Sequence, residues 1–285
     1  MPPTALGLLL VAAALHTAWN LLVKRANEKR VFTWWALVVG AVCFMPLLAL
    51  NPLPTAQIWP YVVSSALVEA VYFIALAFAY EKGDFSLVYP LARGAAPAFL
   101  AVWAAVFLGE RPQPAGIAGL GLLVLGLIIV GGGVWWSQRA TAVTSTSAAL
   151  AALGVACCIS IYSVIDGAAV RLANPISYTV LVLGLTAVFA APGMLVRYGS
   201  HTIIAELRLH WGRIAMVGAL TLLAYILVLQ AYTIARVSYA GAIREISVVL
   251  AALVGWRWLD ERFGVLRTVG AVLIFAGIFV ISLAG

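Results

Sequence analysis

Arg93 is the only charge between Phe85 and Leu108, and it stands between two prolines in the stretch VYPLARGAAPAF. A charged side chain near the middle of a membrane helix costs roughly 2.5–3.5 kcal/mol even on the most lenient insertion scale, so it persists where something uses or neutralises it. A candidate neutralising group is Glu69. With Ser65, Tyr72 and Tyr80 it forms a polar stripe at steps of three, four and eight in an otherwise apolar run, which gives these residues one shared helix face. A carboxylate shut away from water can carry a proton, whereas a guanidinium within about 4–6 Å holds it as an anion. The expected arrangement is a Glu69–Arg93 pair, with the backbone opened between Pro90 and Pro97 so that the guanidinium also reaches a substrate carboxylate.

The remaining candidates are mostly aromatic. Tyr89 and Trp103 share the stripe of Arg93, and His16, Trp19, Asn20 and Lys24 form another in the first apolar run. Tyr162, Ser163 and Asp166 lie in a later run, as do Tyr225 and Tyr232. Aromatic side chains can stack on an apolar or aromatic group and meet an ammonium through cation–π contact. All of these residues except Ser65, Lys24, Ser163, Asp166 and Tyr232 are taken as substrate-binding. Structural alternatives stand beside that reading. Arg93 could cap carbonyls freed by the prolines, His16 could be hydrogen-bond glue between helices, and any single aromatic could be plain packing. Arg244 and Glu245 are expected to be structural; as helix neighbours they point roughly 100° apart and do not face each other.

The elements that must position these residues are membrane helices. The chain is 65% hydrophobic and 9% charged, with mean hydropathy +1.09, against roughly 45–50% apolar content in an average soluble domain. The net charge of +7 does not point to nucleic acid, because the basic residues lie in short segments between apolar runs, as topology signals do. Enzyme classes lack their residues: there is no Walker A loop, no GxSxG elbow, no HExxH and no spaced metal ligands. Cys43, Cys157 and Cys158 all fall inside apolar runs and frame neither a disulfide scaffold nor a metal site. No cofactor or metal is expected.

Apolar runs of about 20 residues, enough to cross a ~30 Å hydrocarbon core, occur near 3–23, 32–50, 59–80, 85–108, 114–132, 147–168, 176–196, 214–234, 239–258 and 264–284. The predicted fold is all-α, with ten transmembrane helices joined mostly by very short turns. A shift of 151 residues superimposes Arg93 on Arg244, LGER (108–111) on LDER (259–262), Gly119 on Gly270 and Gly126 on Gly277. Two five-helix units follow, 1–135 and 147–285, with a linker at 136–146. Five is odd, so the second unit enters the membrane inverted. The repeated glycines let helices approach closely, as scaffold or as the contact of a homodimer through the fifth and tenth spans.

HTAWNLLVK in the first span, the stretch ALAFAYEKGDFSLVYPLARGAAPAFLAVWAAVFLGERPQ and its echo AYTIARVSYAGAIREISVVLAALVGWRWLDER resemble the two EamA repeats of the drug/metabolite transporter superfamily. The Gly-Glu-Arg turn is the most specific part, and the resemblance covers nearly the whole chain. It implies a ten-helix transporter with a central cavity walled mainly by spans one, three, four, six, eight and nine. The nearest functional type is a YddG-like amino-acid exporter. The expected function is therefore that of a secondary transporter or facilitator, not an enzyme. It would export small organic metabolites by alternating access, amino acids first, with aromatic or large neutral ones favoured by the lining. One alternative is a proton-coupled multidrug exporter of lipophilic cations; another, of a different class, is a membrane-embedded enzyme on lipid-linked substrates. Expected partners are the small-molecule substrate and membrane lipid, without nucleic acid, and the expected location is the cell membrane, a bacterial inner membrane. Orientation is drawn two ways. Most lysines and arginines gather on one side, with Arg111, Arg171 and Arg236 on the other, which by the positive-inside rule puts both termini outside the cytoplasm, whereas the resemblance implies termini inside.

Overall fold

The computed structural model describes residues 1–24, 26–82, 85–137, 146–250 and 265–284. Among the described residues, helix stands at the place of the apolar runs; residues 251–258 of the ninth run lie outside them. In the first half α1 spans Pro3–Lys24, α2 Lys29–Phe44, the short α3 Leu47–Leu50, α4 Trp59–Lys82, α5 Phe85–Phe107 and α6 Pro114–Ser137. In the second half α7 spans Thr146–Ala169, α8 Pro175–Ile234, α9 Val237–Arg244 and α10 Val265–Ala284. Residues 246–250 continue as helix after a turn at Glu245. The LDER echo and most of the expected linker lie outside the described residues.

Local chemistry sets several of the ends. Pro46 has no N–H to donate, and the run expected at 32–50 is divided there into α2 and α3. Asn174 caps α8 by accepting from the N–H of Ile176 (2.9 Å) and of Ser177 (3.3 Å), with Pro175 at the first helical position. α8 is broken at Gly199, where φ is 71°, a left-handed value that glycine adopts without strain, and again at His210. Its limbs, 175–198 and 211–234, fill the seventh and eighth expected spans. The helical segment between them occupies the connection for which the sequence left room.

The outer helix surfaces are apolar where those of a water-soluble protein are polar. On α4, Val63, Leu67, Val71, Ile74 and Phe78 recur at steps of four and three and are exposed, while Ser65 and Glu69 on another face are buried. α10 turns Val269, Val272, Phe275 and Phe279 outward and Ile274, Ile278 and Ile281 inward. Continuous exposed apolar stripes of this kind belong against hydrocarbon, not water. Among the described residues, Pro3–Val23, Ala56–Lys82, Thr146–Ala169 and Pro175–Ile234 are long and apolar enough to cross a bilayer. The chain is a multi-pass helical membrane protein.

Lipid outside removes the hydrophobic drive between helices, which instead associate by close packing of small residues. α6 and α10 cross at the repeated glycines: a Cβ on Gly126 would stand 2.6 Å from the Gly270 carbonyl oxygen, and one on Gly277 2.6 Å from that of Gly119. α2 meets the second limb of α8 in the same way, where a Cβ on Gly218 would collide with the Ala36 carbonyl. α4 and α5 both pack on α7, and α1 packs on α8 and α9. Each hydrophobic cluster among the described residues mixes side chains from both halves. The halves interdigitate, and neither closes a core alone.

Because the obstacle at Gly126 is backbone, Gly126→Ala is expected to destabilise by about 1–3 kcal/mol. Gly121, on the same helix, has open space beside it, so Gly121→Ala should be neutral or stabilising by up to ~1 kcal/mol. Thermal unfolding of the two variants in detergent, followed by helix ellipticity, checks both.

Candidate functional site

α9 ends inside the protein. Arg244 is its last residue, and Glu245, at φ −70° and ψ −4°, leaves the helix with its N–H donating to the carbonyls of Ala242 and Ile243. Three charges meet at this break. Glu245 Oε2 lies 2.9 Å from Arg93 Nε, and Glu245 Oε1 lies 3.8 Å from Arg244 Nε. Glu245 is 1% exposed, so its charge is balanced almost entirely by protein groups.

The partner expected for Arg93 was Glu69, and the structure corrects this: Arg93 is paired with Glu245. α5 runs unbroken through Pro90 and Pro97, so the opening expected there is absent. The break lies in the other half of the chain, at Glu245. Arg244 Nε and Glu245 Oε1 nevertheless approach to 3.8 Å across the turn that ends α9.

Glu69 and Asp166 are held by hydroxyls. Asp166 is fully buried; its Oδ1 accepts from Ser65 and from Tyr178 (2.8 Å), and its Oδ2 accepts from Tyr225. Glu69 Oε2 accepts from Thr186 (2.9 Å), and the Tyr225 hydroxyl also faces this carboxylate. One hydroxyl from α4 and three from α8 thus cradle two acids from α4 and α7. A hydroxyl satisfies a buried carboxylate without neutralising it. Arg244 is within electrostatic reach of both acids.

Several predicted residues converge on this centre. Tyr72 and Tyr162 meet edge to face with ring centroids 6.2 Å apart, Tyr80 packs in the same cluster, and Tyr225 bridges it to two others. His16 is within electrostatic reach of Arg93 and Arg244 and packs edge-on against Trp19 at 4.8 Å. The Trp19 indole N–H has no acceptor among the described residues. Trp103 donates from Nε1 to Ser160 Oγ (3.1 Å), tying α5 to α7. Asn20 is exposed and donates back to the His16 carbonyl (2.8 Å) of its own helix. The Tyr89 side chain lies outside the described residues.

Sequence reasoning missed Thr186, Tyr178 and the work of Glu110. Thr186 and Tyr178 belong to an apolar run that also carries Ser177 and Thr179, all fully buried, and that polar content was the available signal. Glu110 is the acid of the Gly-Glu-Arg turn. Its carboxylate accepts from the N–H of Val237 (2.6 Å), the N–H of Ser238 (3.2 Å) and the Ser238 hydroxyl (2.6 Å), and Arg171 Nη2 lies 3.2 Å away. It therefore satisfies orphan N–H groups at the start of α9 and complements the positive end of that helix. The same helix carries Arg244 to the centre.

Charges, hydroxyls and tyrosines thus gather around a turn in a helix inside a multi-pass bundle. The profile of the EamA-like transporter family matches the chain twice, over residues 3–132 and 146–283, and the chain belongs to that family. The two matches coincide with the two interdigitating halves. A solved structure described as "Crystal structure of protein" has the same fold, with a TM-score of 0.76 over 100% of both chains at 17% identity. A search of curated proteins gives no match.

A mutant cycle on stability separates the two candidate partners of Arg93. Glu245→Gln should cost about 3–5 kcal/mol, because it leaves two buried guanidinium groups without their shared acid. Arg93→Gln with Glu245→Gln should couple by more than ~0.5 kcal/mol, while Arg93→Gln with Glu69→Gln should add to within about 0.5 kcal/mol. Unfolding in detergent measures all of these.

Proposed function

We propose that the protein is a secondary transporter of small zwitterionic metabolites, amino acids first, working by alternating access of two inverted five-helix units. The observation that carries this reading is the placement of a cationic group, Arg93–Glu245–Arg244, beside an anionic one, Glu69 and Asp166. A zwitterion needs both. Its carboxylate suits a guanidinium, which presents parallel N–H donors, and its ammonium suits the two acids. The tyrosines offer faces for stacking or cation–π contact with an aromatic side chain. A centre built at a broken helix and shared between two repeats is also where rocking of one unit against the other changes access. The family's transport role supports this over the enzyme alternative.

One observation favours a second reading. Glu69 and Asp166 are held by hydroxyls, which leaves them suited to a proton or an organic cation, as proton-coupled export of lipophilic cations requires. Counterflow in proteoliposomes decides between the two. Labelled L-phenylalanine should exchange and should be displaced by unlabelled phenylalanine far better than by phenylethylamine or phenylpropionate, each of which lacks one charge. Tetraphenylphosphonium movement driven by a pH gradient, without phenylalanine exchange, would instead support the second reading. In the first case Asp166→Asn should lower kcat/KM by roughly tenfold or more, the loss expected for a hydrogen bond to a charged group of about 1.5–3 kcal/mol.

A further inference from the structure

A cavity of about 430 Å³ opens where α8 gives way to α9, with Arg171, Thr233, Arg236 and Tyr239 in its wall. It is separate from the residues that hold Glu69 and Asp166. Its volume lies within the ~300–1,000 Å³ of small-molecule sites. The wall is cationic. Arg236 lies over the Tyr239 ring, 5.4 Å from the centroid, with Nη1 3.4 Å from the Tyr239 hydroxyl. Arg171 is paired with Glu110, whose oxygens are already engaged by Val237 and Ser238. Among the described residues no acid lines the cavity, so two guanidinium groups are set against one carboxylate behind the wall.

Tyr232 joins this cavity to the buried charges. It contributes to the cavity wall, yet it is only 1% exposed. Its hydroxyl faces that of Ser163, and neither is engaged by any other group among the described residues. A Cβ on Gly241, one helical turn before Arg244, would stand 3.4 Å from the Tyr232 hydroxyl. The Tyr232 ring thus lies between the Arg171–Arg236 wall and the end of α9.

We propose that this cavity is an access site for the carboxylate of the transported solute, and that Tyr232 is the shutter between it and Arg244. The proposal rests on the solute being a carboxylate-bearing metabolite. Cationic walls of low dielectric concentrate anions, and Arg236 presents the planar donors that match a carboxylate. Once the ring swings aside, the same carboxylate exchanges one guanidinium for another without meeting hydrocarbon.

Thiol labelling tests both parts without depending on transport. In full-length protein with Cys43, Cys157 and Cys158 replaced by alanine, Thr233→Cys is reacted with two methanethiosulfonates, one bearing a sulfonate and one a quaternary ammonium. Each rate is divided by that of the same reagent with a small thiol in solution. The sulfonate reagent should be favoured by ~10-fold or more, and Arg236→Gln should bring the ratio towards one. Equal rates, a preference for the ammonium, or a ratio that survives Arg236→Gln would overturn the anion site. For the shutter, Ser163→Cys should be shielded in the parent and in Tyr232→Phe but labelled in Tyr232→Ala; equal labelling in all three would sink that role. Phenylalanine counterflow by the parent is run alongside. Its absence with an intact ratio removes the amino-acid reading and keeps the anion site, whereas a lost ratio with intact counterflow removes the anion site alone.

Discussion

One carboxylate, Glu245, holds two guanidinium groups in a protein whose outer surface is hydrocarbon-facing, and much of the second half is arranged to keep it there. The acid reaches both arginines because α9 stops at Arg244. A helix that breaks inside the membrane exposes backbone groups, and one whose start is buried needs its first N–H groups met. Glu110 meets them at the start of α9. The position of α9 further requires small neighbours: a Cβ on Gly167 of α7 would stand 2.6 Å from Val237, and one on Gly241 would collide with Leu100 of α5. Glycines, cap and ion triad therefore form a single dependency.

Among the described residues, the centre carries an unbalanced charge when all its groups are ionised. Arg93 and Arg244 give +2, and Glu69, Asp166 and Glu245 give −3 when all are ionised, leaving −1 around the centre. A buried excess charge is costly unless something arrives to balance it. On the proposed reading that balance comes from the ammonium of the solute, and on the second reading from a proton. Both give the empty and loaded states different electrostatic energies, which is what a carrier needs in order to change shape in response to its cargo.

The all-helical membrane character and the polar face of Ser65 and Glu69 were legible in the sequence, because hydrocarbon demands long apolar runs and makes each polar interruption conspicuous. The pairing of Arg93 was not. Glu69 and Glu245 were both available to it, and the choice depends on how the halves interlock, which no local pattern encodes. The break itself was also concealed. Pro90 and Pro97 advertise a kink, yet α5 passes through them, while the break at Glu245 lies in AIREIS without a proline or glycine. A proline can be absorbed where neighbours satisfy the freed carbonyls, whereas Glu245 at the turn is paired with one charge from elsewhere in the chain, Arg93. The capping role of Glu110 was hidden for the same reason: the motif was recognisable, its partner was not.

The contact between Glu110 and Val237 spans 127 residues of chain. A ribosome adding about 5–20 residues per second takes roughly 6–25 s to cover that interval. At its start the acid is unanswered; the partners of α4 and α2, on α7 and α8, are made only as the interval passes, and α10, on which α6 packs, comes after it. The nascent protein is then a loose raft of helices wetted by lipid on every side. Commitment to the native arrangement falls late in translation, and the order of synthesis makes the second half the clamp that locks the first.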